Sequence, residues 1–197
     1  CKDLVLCDSG SKMDQCDFQL CPARFRALEA KLGGVRHTTD AFATRDNALV
    51  SRFFSLFHCE GTAGADAMAQ AWGAPLPDGR RQDLWLHPPR CLIAQAVRRL
   101  QVCGGRGTIL APFDRRAVYW PLICPGAPGT VCGSEGGQLR EVLPRSDGLL
   151  WKAGEPLREG SMHLVAVRLD FSTSSTNAWE DAVRWRCGRA MRGGGVS

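Results

Sequence analysis

No apolar run in these 197 residues approaches the ~20 that a membrane-spanning helix requires, so no membrane partner is expected. Of the ten cysteines, no two form a Cys-x-x-Cys pair. Without paired ligands at zinc-ribbon spacing, a structural zinc site has no support. Cys1, Cys7, Cys16 and Cys21 stand at irregular intervals that also argue against a metal. Histidine is scarce. His37, His58 and His163 fall at no ligand spacing and read as surface or satisfied core side chains. Ser51 and Ser55 have neither an adjacent base nor the glycines of a nucleophile elbow, which removes hydrolase chemistry. There is a single tyrosine, Tyr119, and it sits within apolar core pattern.

Hydrophobic residues make up 44% and charged residues 23%, enough for a buried core. The net charge of +5 mildly favours a polyanionic partner such as DNA or RNA. The opening Cys1-Lys2-Asp3 carries neither an initiator Met nor a signal-peptide pattern, so a piece of a longer chain is expected. Cysteine usage in a chain this long points to a reducing, intracellular compartment, cytoplasm or nucleus.

Three regions are expected: a connector with one helix over 1–34, an α/β domain over 35–172, and a basic helix and tail over 173–197. Pro22 suits a first helical position, with Phe25, Leu28 and Leu32 on one face and Gly33-Gly34 as the stop. Val35 to Phe42 reads as a short strand whose candidate site residue is Asp40. A helix is expected from Thr44, with Leu49, Val50, Phe53, Phe54 and Phe57 at helical spacing. Asp66 to Trp72 suggests a short helix, and Pro75 to Arg81 a polar loop. Asp83 to Leu86 is a strand ended by Pro88-Pro89. Leu92, Ile93, Ala96, Val97, Leu100 and Cys103 form an amphipathic helix, on whose apolar face Cys91 and Cys103 read as small buried hydrophobes. Thr108 to Ala111 completes a strand–helix–strand unit. Residues 125–137 are a Gly- and Pro-rich loop. Leu139–Leu143, Leu149–Trp151 and His163–Phe171 are later strands, the last alternating like a partly exposed edge strand or hairpin. Near the end, Arg184, Arg186, Arg189 and Arg192 form a basic run suited to nucleic-acid phosphates or to a solvated tail. Trp72, Trp85, Trp120 and Trp151 are expected to fill core.

In an open parallel sheet, ligands bind beyond the carboxyl ends of the strands. Two such ends attract attention: Asp40, and His87-Pro88-Pro89-Arg90, where consecutive prolines stiffen a turn and fix its main-chain carbonyls. The order Thr39-Asp40-Ala41-Phe42-Ala43-Thr44, Asn47-Ala48, Phe53-Phe54-Ser55, Asp66-Ala67, Trp72 and Trp85-Leu86-His87-Pro88-Pro89 resembles the phage-type DNA N6-adenine methyltransferase (Dam) domain. It resembles most the form found after RNase H, and before the recombinase, in polyproteins of tyrosine-recombinase (DIRS-type) retroelements. The likeness continues through Gly107-Thr108-Ile109-Leu110-Ala111-Pro112 and Tyr119-Trp120-Pro121-Leu122 to Arg168-Leu169-Asp170-Phe171. Asp17-Phe18-Gln19-Leu20 to Phe25 resembles the connector after RNase H, so about residues 14–172 are covered.

The resemblance implies a Rossmann-like methyltransferase sheet, mostly parallel with antiparallel C-terminal strands and helices on both faces. It implies S-adenosylmethionine as cofactor, with Asp40, Phe42 and Asp66 at cofactor-binding positions. It implies flanking reverse transcriptase, RNase H and recombinase domains in the parent chain. In such a site, the first side chain of the motif and a Pro carbonyl accept the two N6 hydrogens of a flipped adenine, and an aromatic residue stacks on the base. Here His87 replaces the amide or carboxylate, and Arg90 replaces the aromatic ring. Imidazole is bulkier and needs the right tautomer, and a guanidinium places positive charge beside a sulfonium. Residues 40–48 also lack the glycines that let a cofactor approach the backbone. The expected function is therefore a catalytically degenerate, nucleic-acid-associated methyltransferase-like domain. Two alternatives stay open: an active enzyme using Asp40, His87, Pro88, Pro89 and Arg90, and a basic interaction module without catalysis. With Tyr119 as the only tyrosine and no acidic set for two metals, neither recombinase nor RNase H chemistry lies within this chain.

Overall fold

Side chains alternate between two apolar layers along the central strands, and each layer is covered by a helix. The computed structural model describes residues 18–124, 140–152, 154–157 and 163–171. In chain order the elements are β1 (Phe18–Leu20), α1 (Pro22–Lys31), β2 (Thr39–Asp40), β3 (Phe54–Ser55), β4 (Gly64–Ala65), β5 (Leu84–Leu86), α2 (Ile93–Val102), β6 (Arg106–Pro112), α3 (Trp120–Ile123), β7 (Arg140–Leu143), β8 (Leu150–Lys152), β9 (Glu155–Pro156) and β10 (Leu164–Asp170). The chain is α/β with mixed sheets. The central sheet has the order β2-β5-β6-β10-β7. β2, β5 and β6 pair in parallel, whereas β10 is antiparallel to both β6 and β7. A second sheet, β1-β8-β9, is antiparallel, and β3 and β4 form a small parallel pair.

The expected strand–helix–strand unit is present as β5-α2-β6. α2 forms because Ile93, Ala96, Val97 and Leu100 recur at helical spacing and are all buried against Leu84, Leu86, Ile109, Val165 and Val167. On the opposite layer, Phe25 and Leu28 of α1, followed by Leu32, pack on Trp85, Leu110 and Ala166. Pro22 begins α1, and Gly33 and Gly34 end it with φ of 85° and 74°. Helices on both faces are thus present. Gly107 is required where β5 and β6 meet, because a Cβ there would lie 2.6 Å from the Leu84 carbonyl oxygen.

Several expectations are corrected. The central sheet is not mostly parallel: two of its four pairings are antiparallel, because β10 inserts between β6 and β7. β10 is accordingly no edge strand. Leu164 to Val167 are buried, with hydrogen-bonded neighbours on both sides. The helix expected from Thr44 is replaced by turns and β3. Phe53 bridges Asp40 in extended conformation, and the Asp40 N–H donates to the Arg52 carbonyl at 2.9 Å. Short apolar runs do not distinguish helix from strand, and tertiary pairing decided this one. The strand expected over 35–42 shrinks to β2, and the helix expected over 66–72 to a 3-10 turn at Ala67–Ala69. Cys91 is exposed rather than buried, since it falls in the 3-10 turn ahead of α2; Cys103 is half-buried against the core. The 125–137 loop and the basic run with Arg184, Arg186, Arg189 and Arg192 lie outside the described residues.

At the amino ends of the parallel strands sits a buried polar network. Arg168 of β10 grips both carboxylate oxygens of Asp83 at 2.6 Å, and Arg106 Nε lies 3.2 Å from Oδ2. The Asp83 carbonyl accepts from the Thr38 and Thr39 N–H groups, at 2.8 and 3.2 Å. Beside it, His37 contacts Glu29 Oε1 through Nδ1 at 3.0 Å and Thr108 Oγ1 through Nε2 at 2.8 Å. Burial pushes the His37 imidazole below its ordinary value, opposed by the nearby Asp83 and Glu29 carboxylates. A neutral ring donating from Nδ1 and accepting at Nε2 satisfies both contacts. His37 is therefore a satisfied core histidine. Removing one member of a buried ion pair strands the other charge. Arg168→Met is expected to lower stability by about 3 kcal/mol in urea denaturation, and Asp83→Leu combined with Arg168→Met by less than that. A double variant less stable than the single would contradict this account.

Candidate functional site

Because β2 and β5 are hydrogen-bonded neighbours, their carboxyl ends lie side by side, with Asp40 opposite Trp85 and His87 two residues beyond. Asp40, Phe42 and His87 line one cleft there, together with Asn47, Leu49 and Trp85. Phe18 and Gln19 of β1 complete its wall. The two segments singled out in the sequence are thus brought together at one rim of the sheet.

The chemistry at that rim is muted. Asp40 is 3% exposed, and its oxygens accept from the Leu49 N–H at 3.2 Å and the Phe42 N–H at 3.4 Å. Its carboxylate staples the 41–49 loop, which is also fastened where the Asn47 side-chain oxygen accepts the Thr44 N–H at 2.6 Å. Burial raises the Asp40 pKa to about 7, against the pull of those two backbone donors. His87 is half-buried, and desolvation lowers its pKa to about 4, opposed by a hydrogen bond with the Phe18 backbone. Between these values both side chains are uncharged.

The rest of the motif points elsewhere. The Pro89 carbonyl accepts the Leu92 N–H at 2.8 Å, starting the 3-10 turn at Arg90–Leu92. Pro88 is buried but is not part of the cleft wall. Arg90, with its side chain 58% exposed, pairs with Asp114 at 2.6 Å and does not line the cleft. Asp66 is also absent from the wall. It adopts a φ of 54° and accepts the Met68 N–H at 3.0 Å, capping the 3-10 turn. Phe42 packs edge-on to Trp72, with ring centroids 6.0 Å apart. Trp72 and Trp85 are core residues, while Trp120, packed against the core, and Trp151 are only half-buried. Sequence reasoning did not assign Phe18, Gln19, Asn47 or Leu49 to the site. The first three stand in the stretches that carry the resemblance, and that was the available signal.

The cleft leaves about 0 Å³ of space that a water-sized sphere could enter. Small-molecule sites typically occupy about 300–1,000 Å³. With Asp40 engaged in its own loop and Phe18 against the wall, the residues present do not fit S-adenosylmethionine. Among the described residues, no group of three or more His, Cys, Asp and Glu side chains is placed to hold a metal ion, and no helix is long and apolar enough to cross a membrane. No protein-family model, no curated protein and no solved structure matches the chain.

The two titrations act on stability with opposite signs. Asp40 has a raised folded pKa, so its contribution is complete below its ordinary value of 3.8 and is lost as pH rises towards 7. His87 has a lowered folded pKa, so its contribution is present above its ordinary 6.5 and is lost as pH falls towards 4. In the wild type these largely cancel between the two limits. Asp40→Asn is expected to unmask a stability that rises with pH across this window, and His87→Gln one that falls, each by roughly 2–3 kcal/mol. Urea denaturation at several pH values reads both slopes, and two flat profiles would refute the burial of these groups.

Proposed function

We propose that this chain is a catalytically degenerate relative of the DNA adenine-N6 methyltransferase domain, retained as a nucleic-acid-associated part of a retroelement polyprotein. The reading rests first on placement. Asp40 and the turn that begins at His87 meet at the carboxyl ends of adjacent parallel strands, where an α/β sheet offers its ligand crevice. The parallel β2-β5-β6 core with α2 on one face, followed by the antiparallel C-terminal strand β10, supports the reading in part, although the sheet as a whole is mixed and not mostly parallel.

The observation that carries degeneracy is the small cleft beside the engaged Asp40 carboxylate. Methyl transfer depends on holding acceptor and donor in line, and this demands room for both. The side chain meant to stack on a base, Arg90, is paired with Asp114 instead. His87 remains at the wall of the cleft.

Calorimetry with S-adenosylmethionine at about 1 mM should give no binding heat, a limit well above the affinities expected of a working site. Adenine-containing duplex DNA incubated with labelled cofactor should stay unmethylated. Methyl incorporation that disappears in His87→Ala would overturn this proposal in favour of an active enzyme.

A further inference from the structure

The rim opposite the cleft carries a second concavity, of about 550 Å³ and open to solvent. Three loops build it: residues 36–38 ahead of β2, residues 50–52 ahead of β3, and the turn at residues 76–80. Each loop contributes one arginine, namely Arg36, Arg52 and Arg80. Among the described residues, the only carboxylate on the wall is Asp78. One of its oxygens accepts from Arg80 Nε at 2.7 Å and the other from the Arg80 N–H at 3.0 Å. Among the described residues, Arg36 and Arg52 have no carboxylate partner.

Arg52 is placed rather than loose. Its guanidinium lies 5.6 Å from the centroid of the Phe54 ring, and its Nε is buried without a hydrogen-bond partner. Leaving that nitrogen without a partner is costly, and an anion beside the guanidinium would offset the cost of burying its charge. His37, which also borders the concavity, is bonded within the core, and burial lowers its pKa, so the arginines supply the positive charge of the wall. The wall thus carries three cations against one satisfied anion, and the exposed Ser51 also lines it. Arginine forks match phosphate oxygens in paired geometry.

We propose that this groove binds the phosphate backbone of a nucleic-acid strand. It shares with the degenerate methyltransferase reading only the nucleic-acid partner and needs nothing from the cleft. The apolar Val50, Leu76 and Pro77 give the groove a wall on which sugar or base can rest beside the bound phosphates.

The test is fluorescence anisotropy of a labelled single-stranded oligodeoxynucleotide against the full chain, over a range of salt concentrations. Arg36→Glu with Arg80→Glu should weaken binding by tenfold or more at about 0.1 M salt, and should lower the salt slope by about 1.4, or ~0.7 for each phosphate that is no longer neutralised. Arg24→Glu with Arg26→Glu makes the same charge change on the exposed side of α1, and should weaken binding less than threefold. Arg52→Lys keeps the charge but removes the fork, and should weaken binding by a smaller factor at an unchanged melting temperature. Equal weakening in the groove and α1 variants would mean diffuse attraction and overturn the groove. So would displacement of the oligonucleotide by polyglutamate at equal charge concentration. A wild-type chain that ignores nucleic acid at every salt would overturn both this groove and the nucleic-acid association of the degenerate methyltransferase reading, whereas binding that survives the groove variant removes the groove alone.

Discussion

The ion pair between Asp83 and Arg168 is the constraint on which the rest of the sheet depends. It links residues 85 positions apart and does so in a buried place, where an unpaired charge would oppose folding. Asp83 stands just ahead of β5, and its main chain binds Thr38, just ahead of β2. Arg106 opens β6 and Arg168 belongs to β10. One residue therefore aligns the starts of three parallel strands, β2 through its main chain and β6 through its carboxylate, and the same carboxylate sets the register of the antiparallel strand that closes on them. A one-residue slip of β10 would turn Arg168 towards the other apolar layer and present the wrong side chains to both helices.

That registration also accounts for the opposite rim. With Thr39 fixed opposite Leu84, Asp40 must end its strand beside Trp85, and the chain must turn at once. The Asp40 carboxylate is then surrounded by the loop it initiates. Its hydrogen bonds to Leu49 and Phe42 keep that loop folded inward, while β1 brings Phe18 against His87. A carboxyl group drawn into such packing is raised towards neutrality, and an imidazole beside it is lowered. The same placement that would make a ligand site thus makes a closed, uncharged rim once the loop and β1 fill it.

How much of this was legible in the sequence varied with the range of the interaction concerned. α2 and β6 were readable because their periodicity is local and their ends are marked by Pro88-Pro89 and Gly104-Gly105. α1 was readable for the same reason. The convergence of Asp40 and His87 followed from strand order. The extended path of Phe53 and Phe54 was not readable, because five apolar residues fit a helical face as well as a strand, and the deciding bond runs from Arg52 back to Asp40. β10 looked like an edge because Arg168 breaks its apolar pattern, yet that arginine answers Asp83 inside the fold. Distant charge pairing leaves no mark in a window of ten residues. Nor did anything local announce that Arg36, Arg52 and Arg80 share one concavity, since each sits in a different loop.

The two rims also differ in what a change of sequence can do to them. The Asp40 rim is enclosed, so altering its polar groups acts on folding first and on ligands only afterwards. The arginine rim is exposed, and its three loops are tied down by bonds that do not involve the guanidinium tips: Thr38 to Asp83, Arg52 to Asp40 and Arg80 to Leu76 through main-chain or hydroxyl groups. The charges of its exposed members, Arg36 and Arg80, can therefore vary with little effect on stability, because exposed ions contribute little to it. A surface of that kind responds to selection on a partner, whereas the closed cleft responds to selection on the fold. The division follows from a sheet whose amino ends are locked by buried charge beneath an open groove and whose carboxyl ends are sealed by their own loops.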